Sequence, residues 1–167
     1  MQKMPAALRF IEPMECLPVE AIPEDAQWQY ELKLDGYRTI AVKDSGEVSL
    51  FSRNGNSFDA KFPQVADALL ELRVKRFVFD GEIVALDENG RHSFELLQRI
   101  KTSKAPVRYY VFDLLKVGTD DLFALPLSER RERLEHVLRG LAGEIQLSTD
   151  PRRQCNGSLG AGSEFRI

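Results

Sequence analysis

The octapeptide ELKLDGYR, residues 31–38, sets a lysine, an acid and an arginine close together at the end of a strand-like run. A lysine amine attacks only when deprotonated. A free one, with a pKa of about 10.4, is almost wholly protonated at neutral pH, and bringing it to neutrality takes roughly 3 units, or about 4 kcal/mol. Desolvation, neighbouring cations or a metal ion can supply that shift. The planar fork of arginine suits phosphate or carboxylate better than a lysine point charge does. Lys33, with Arg38 past the Gly36 turn, therefore fits a nucleophile beside a phosphate clamp. It also fits a charged strand edge entering a hairpin, and taken alone that is the safer reading.

Three more polar clusters sit in apolar, strand-like surroundings: Ser52-Arg53-Asn54-Gly55, Asp80-Gly81-Glu82 and Tyr110-Val111-Phe112-Asp113. Singly they are weak: two acids at a bulge, or an aromatic in the core. The common nucleotide and hydrolase signatures are absent, namely GxxxxGK[ST], GxGxxG after a strand, GxSxG and HExxH. GSLGAGS near the C-terminus precedes no helical pattern and reads as a linker.

The elements that must position these clusters alternate between periods. Trp28, Tyr30, Leu32 and Leu34 share one strand face, with Glu31, Lys33 and Asp35 on the other. Asp44-Ser45-Gly46-Glu47 is a hairpin turn between two alternating runs. Helices are expected over 62–73, over 93–103 with Ser93 as N-cap, and over 127–143 with Ser128 as N-cap. Residues 76–90 read as a strand with Gly81 marking a bulge or a close approach. The apolar run 107–117 reads as a central strand buried on both faces, and 144–148 as a last strand. Tight turns between strands imply antiparallel pairing, hence an α+β domain with antiparallel β-sheets and flanking helices. Residues 1–26, with four prolines, form an extended arm; 27–148 form the domain; 149–167 form a flexible tail.

Bulk properties narrow the class. A chain of 167 residues, 43% hydrophobic and 29% charged, suits one soluble globular domain. A net charge of −3 does not advertise nucleic acid, although a local basic groove can coexist with an acidic remainder. Cys16 and Cys155 lie far apart, so neither a zinc site nor a disulfide framework is indicated; His92 and His136 have no partner pattern. No apolar run reaches the ~18 residues of a bilayer span, and the N-terminus lacks a signal peptide. A cytoplasmic protein with no membrane association is expected.

Together and in order, the four clusters resemble a family. KLDGYR fits the KxDGxR signature of the covalent nucleotidyltransferases: DNA ligases, RNA ligases and mRNA capping enzymes. SRNG at 52–55, FDGEIVALD at 79–87 and YYVFDLL at 109–115 are similar to the motifs that follow it. With the FIEPM lead-in, the stretch from roughly residue 8 to 148 resembles the adenylation domain of ATP-dependent DNA ligases of bacterial end-joining systems. The resemblance implies part of a covalent-nucleotidyltransferase, ATP-grasp-like fold. It implies that Lys33 attacks the α-phosphorus of ATP to form lysyl-AMP, and that Glu31, Arg38 and Arg53 contact the nucleotide. Glu82 would hold the ribose or a divalent metal, Mg²⁺ or Mn²⁺, and Phe112 would stack on adenine. AMP would then pass to a DNA 5′-phosphate, and the 3′-OH would displace it to seal a nick. Nicked or broken double-stranded DNA and end-joining proteins are the implied partners of a full-length enzyme. An RNA ligase or capping-type enzyme remains an alternative, as does a non-catalytic binding module that keeps the fold.

Beyond Ser148 neither the family's acidic EG(V/I) motif nor its lysine pair is found. The chain is therefore expected to be the N-terminal part of an adenylation domain, with a non-homologous tail that is either a vector-encoded scar or frameshifted sequence. Weak or absent self-adenylation and no nick sealing are expected, since one lost charge-stabilising donor can be worth ~10²–10³ in rate. An incomplete fold also suggests an exposed apolar edge, open to homodimerisation or strand exchange.

Overall fold

The structure, a computed structural model, describes residues 6–21, 30–141, 143–148 and 165–166. Its centre is a hairpin built where the turn signal lies. Strands β2 (Tyr37–Asp44) and β3 (Glu47–Ser52) are joined through Ser45 and Gly46, both left-handed at φ 53° and 86°. Two positive φ angles match the right-handed twist of the flanking strands, so the register Asp44↔Glu47 to Thr39↔Ser52 follows.

On the other side of β2 lies β4 (Phe77–Ala85), buried along its whole length, and then β5 (Val107–Val117). The short β6 (Asp120–Asp121) completes the order β3-β2-β4-β5-β6. β7 (Ile145–Leu147), the last strand expected from sequence, pairs with β5 in parallel; the other pairs in this sheet are antiparallel. A separate two-stranded pair joins β1 (Glu31–Leu32) to β8 (Phe165–Arg166). That β8 lies within the stretch expected to be a flexible tail; residues 149–164 and 167 of it fall outside the described residues.

The two faces of the large sheet differ in kind. Against one face pack α1 (Pro63–Leu70), the short turns α2 (Phe94–Gln98) and α3 (Ile100–Ser103), and α4 (Leu127–Leu138). Phe62, Leu69, Phe79, Ile83, Tyr109 and Leu134 are fully enclosed there. Against the other face lies the extended segment 6–20. Its Leu8, Phe10 and Ile11 cover Ile40, Val42, Val78 and Leu115, while Met14, Leu17 and Val19 remain exposed.

Three helix expectations are corrected. The 93–103 helix keeps its cap, the Ser93 hydroxyl accepting from Leu96 N, but breaks at Arg99 and ends at Lys104, whose φ is 50°. The last helix ends at Leu138, because Arg139 is extended and Gly140 follows at φ 81°. Its N-cap is Pro126, not Ser128, which lies inside the first turn. Proline there presets an extended backbone and lacks the donor that a helix start leaves unpaired anyway.

The strand 107–117 is also corrected. Its helix-side residues are buried but several on its other side are only half-buried. Two register shifts against β4 leave Phe112 and Leu115 without opposite partners. The irregularity expected at Gly81 therefore belongs to β5. Gly81 is instead a close approach: a Cβ there would lie 2.5 Å from both the Tyr109 ring and Tyr110 O.

Candidate active site

The bulges in β5 explain the site. A regular strand would alternate Phe112 and Asp113 between faces. With Phe112 as the extra residue, both turn to the helix-free face, and Leu115 does the same one step on. There they join Arg38 of β2 and Asp80 and Glu82 of β4 as the floor of a cavity of about 420 Å³. Glu12, Pro13, Met14 and Cys16 of the extended segment form one wall, and Glu31, Leu32 and Leu34 another. Phe123, Leu127 and Arg130 close the end nearest α4.

The floor is charged but internally paired. Arg38 meets Asp80 in a two-pronged fork, Nε to Oδ1 at 2.6 Å and Nη2 to Oδ2 at 2.7 Å. The same guanidinium lies 4.5 Å over the Phe112 ring. Burial pushes the Asp80 carboxyl above its ordinary pKa; Arg38 opposes this and the neighbouring Asp113 adds to it. Arg130 makes a second fork, Nε and Nη2 each 2.8 Å from an Asp113 oxygen, and its Nη1 donates to Leu125 O.

Glu82, only 3% exposed, accepts a hydrogen bond from Gly36 N at 2.9 Å. This ties the loop after β1 to the centre of the sheet. Gly36 permits the approach, since a Cβ there would sit 2.2 Å from Ile83 O.

Glu31 pairs with Arg131 of α4, whose Nη1 donates to its Oε1 and whose Nη2 donates to Ser148 O. Burial raises the Glu31 pKa, aided by Asp113 and opposed by Arg131 and Arg38.

Of the six residues expected at the site, Glu31, Arg38, Glu82 and Phe112 therefore line one cavity. Lys33 does not. It is exposed and follows β1 instead of lying within it, because β1 ends at Leu32 and the chain must turn toward Gly36. Leu34, rather than Lys33, points inward and is buried. Arg53 is exposed in the turn after β3 and is not among the lining residues.

Asp80 and Asp113, which belong to two of the polar clusters but carry no expected role, join the site together with Arg130 and Arg131, which lie outside those clusters. One signal was present for the arginines: two adjacent cations near a helix N-terminus oppose the helix dipole and call for acidic partners. Among the described residues, no three His, Cys, Asp or Glu side chains gather closely enough to hold a metal ion on their own, and no helix is long and apolar enough to cross a membrane.

Solved ligase structures share this architecture. A mycobacterial DNA ligase D complexed with ATP and MES superposes with a TM-score of 0.63 at 31% identity, over 74% of this chain and 40% of that one. The ligase domain of LigD from Mycobacterium tuberculosis gives the same TM-score and coverage at 32% identity. The chain belongs to the ATP-dependent DNA ligase domain family, whose model, described as ATP dependent DNA ligase domain, matches residues 13–159 and so runs on past Ser148. Among curated relatives, the multifunctional non-homologous end joining protein LigD of Pseudomonas aeruginosa is 39% identical over 137 residues, 78% of this chain and 16% of that protein. DNA ligase C of Mycobacterium tuberculosis is 36% identical over 148 residues, 83% of this chain and 40% of that one. The chain thus spans less than half the length of these relatives.

Proposed function

We propose that this chain is the nucleotide-binding part of an ATP-dependent DNA ligase of the end-joining type, working through a lysyl-AMP intermediate. The observation that carries this reading is the convergence of Glu31, Arg38, Glu82 and Phe112 on one cavity beside the loop that bears Lys33. Lys33 Nζ, once it has lost a proton, bonds to the α-phosphorus of ATP while the bond from that phosphorus to pyrophosphate breaks. Phe112 offers a stacking face for adenine, and Arg38, whose Nε and Nη2 are held by Asp80, offers its remaining N–H donors to ribose or phosphate oxygens. Arg53 contributes from the turn after β3 when the nucleotide bridges toward it. Glu82 is the carboxylate suited to a divalent ion. Magnesium is commonly held by one or two carboxylates plus phosphate and water, so a cage of three acids is not required. That ion supplies charge neutralisation at the phosphates when bound.

The substrate assigned by this reading is nicked or broken duplex DNA, in keeping with relatives that are named as DNA ligases and end-joining proteins. DNA engagement and sealing belong to the longer protein. Photocrosslinking this chain with 8-azido-ATP, followed by peptide mapping, tests the reading. Label is expected on the peptides carrying Phe112 and residues 31–38, and excess ATP should compete it away. Label elsewhere, or label that ATP does not displace, would overturn the assignment.

A further inference from the structure

The helix-free face of the sheet carries a second cavity, of about 330 Å³, that the nucleotide reading does not use. The extended segment runs from one cavity to the other. Residues 6–11 wall this cleft, and Glu12, Pro13, Met14 and Cys16 wall the nucleotide cavity. Opposite residues 6–11 stand Arg76, Lys116 and the Gly118-Thr119 turn between β5 and β6. The wall made by the segment is fixed in place. Leu8 N donates to Asp44 Oδ2 at 2.7 Å, Arg76 Nε to Asp44 Oδ1 at 2.9 Å, and Arg76 Nη2 to Ala6 O at 2.5 Å.

Donors gather here beyond what their partners use. Along the cleft Arg9, Arg76 and Lys116 face one acid, Asp120, and that acid lies 3.6 Å from Arg133 of α4. Lys116 gives one of its three N–H groups to Asp121. Arg9 and Thr119 are exposed and meet no hydrogen-bond or ion-pair partner among the described residues. Arg73 and Lys75, exposed just before Arg76, add positive charge on the approach. Cations and hydroxyl donors converging from two walls suit an oxyanion with several acceptor oxygens, phosphate above all. The position of the cleft says which phosphate. Lys116 lies four residues beyond Phe112 on β5, about 13 Å at ~3.3 Å per residue. Duplex DNA rises 3.4 Å per base pair, so that span is about four base pairs.

We propose that this cleft holds a backbone phosphate of duplex DNA, about four base pairs from the break presented at the nucleotide cavity. The proposal rests on the DNA ligase reading above. The contact is to phosphate, so it reads no sequence and instead sets the register of the duplex over the cavity floor.

The test measures binding of a nicked duplex of about 30 base pairs, by fluorescence anisotropy over a range of salt, to the wild type, R9Q, T119E and R9Q/T119E. Both positions are exposed and outside the nucleotide cavity, so melting temperature and ATP affinity should match the wild type. The double variant should lose one phosphate contact, making the slope of log K against log salt shallower by about one. At about 50 mM salt that is roughly ten- to twentyfold weaker binding. Single phosphates are then replaced by neutral methylphosphonates along both strands. Replacement about three to five base pairs from the nick should weaken the wild type and leave the double variant unchanged, whereas replacement elsewhere should weaken both alike. Equal slopes, or no position in that window that distinguishes the two proteins, would overturn the proposal. A wild type that binds ATP but no DNA would overturn it and leave the nucleotide site standing. Binding of neither would overturn the underlying reading as well.

Discussion

Replacing Arg38 with methionine removes one half of the buried fork on the cavity floor and leaves the other half in place. The side chains of Arg38 and Asp80 are 18% and 6% exposed, so the carboxylate would lose its partner with little water to replace it. Removing one member of a buried pair typically costs about 3–5 kcal/mol, because the remaining charge is stranded. Loss of the guanidinium from the Phe112 face adds about 0.5–2 kcal/mol. Methionine fills much of the volume, so the cavity contribution is small. We expect R38M to lower unfolding stability by about 3.5–7 kcal/mol at neutral pH, a large part of the 5–15 kcal/mol typical of a domain. R38M/D80N should cost less than the sum of the two single changes, since no charge is then stranded. The pH dependence gives an independent check. Burial already raises the Asp80 pKa in the wild type, so between the ordinary carboxylate value and the raised one the folded state holds more protons than the unfolded state. In that window stability falls as pH rises, and is recovered as pH falls through the folded value. Without Arg38 the window extends upward, so the R38M penalty should shrink as pH is lowered from neutral toward the ordinary carboxylate range. Urea unfolding of the three variants at two pH values, at unchanged m, measures all of this. A penalty below about 1 kcal/mol, or one equal at both pH values, would refute the claim that Asp80 is stranded.

Gly81→Ala should destabilise by about 1–3 kcal/mol or more, as overpacking does. Its Cβ would press on Tyr110 O, which is backbone, and on the fully buried Tyr109, whose hydroxyl is fixed by donating to Thr39 O at 2.9 Å; thermal melts that match the wild type would contradict this. The buried Lys43 ammonium donates to Leu69 O, Leu70 O and Leu72 O at 3.2, 2.7 and 2.8 Å, closing the C-terminal end of α1. Burial, with help from Lys75, lowers its pKa, so the unfolded state holds the extra proton and stability rises with pH up to the ordinary lysine value of about 10.4. K43M should lack that rise, and parallel unfolding curves for the two proteins across the alkaline range would rule it out. Phe112→Ala should weaken ATP binding by about 1–3 kcal/mol, the usual worth of one stacked base, and an unchanged titration would remove Phe112 from the base site.

Much of the scaffold was legible because local chemistry dictates it. Ser45-Gly46 can supply two left-handed residues, so the hairpin and its register follow from four letters. Ser93 caps a helix because its hydroxyl accepts from Leu96 N, and Gly140, left-handed just past the extended Arg139, turns the chain after α4 as Gly46 does in the hairpin. The site was legible in part for a different reason. Glu82 had to face away from the helices once Ile83 faced them, and Arg38 likewise once Thr39 and Ala41 did. Alternation fails at β5. VRYYVFDLLKV is apolar at nearly every position, so its letters carry no period from which to read two inserted residues. The face of Phe112 and of Asp113 is decided instead by pairing with β4, a contact far away in sequence.

The placement of Lys33 shows the same limit from the other side. The alternation Leu32, Lys33, Leu34 suggested that the lysine shares a face with Glu31. Yet Glu31, Leu32 and Leu34 all line the cavity, which no straight strand could achieve with successive residues. The strand must end for them to do so, and Gly36 fixes where the chain turns by resting against Ile83 O while Glu82 accepts its amide hydrogen bond. The KxDGxR spacing is thus better understood as a loop clamped by a buried acid than as a strand with a reactive side chain. The loop sets the lysine's position relative to the floor, and Gly36→Ala, by forcing that clamp open, should displace Lys33 and Arg38 together.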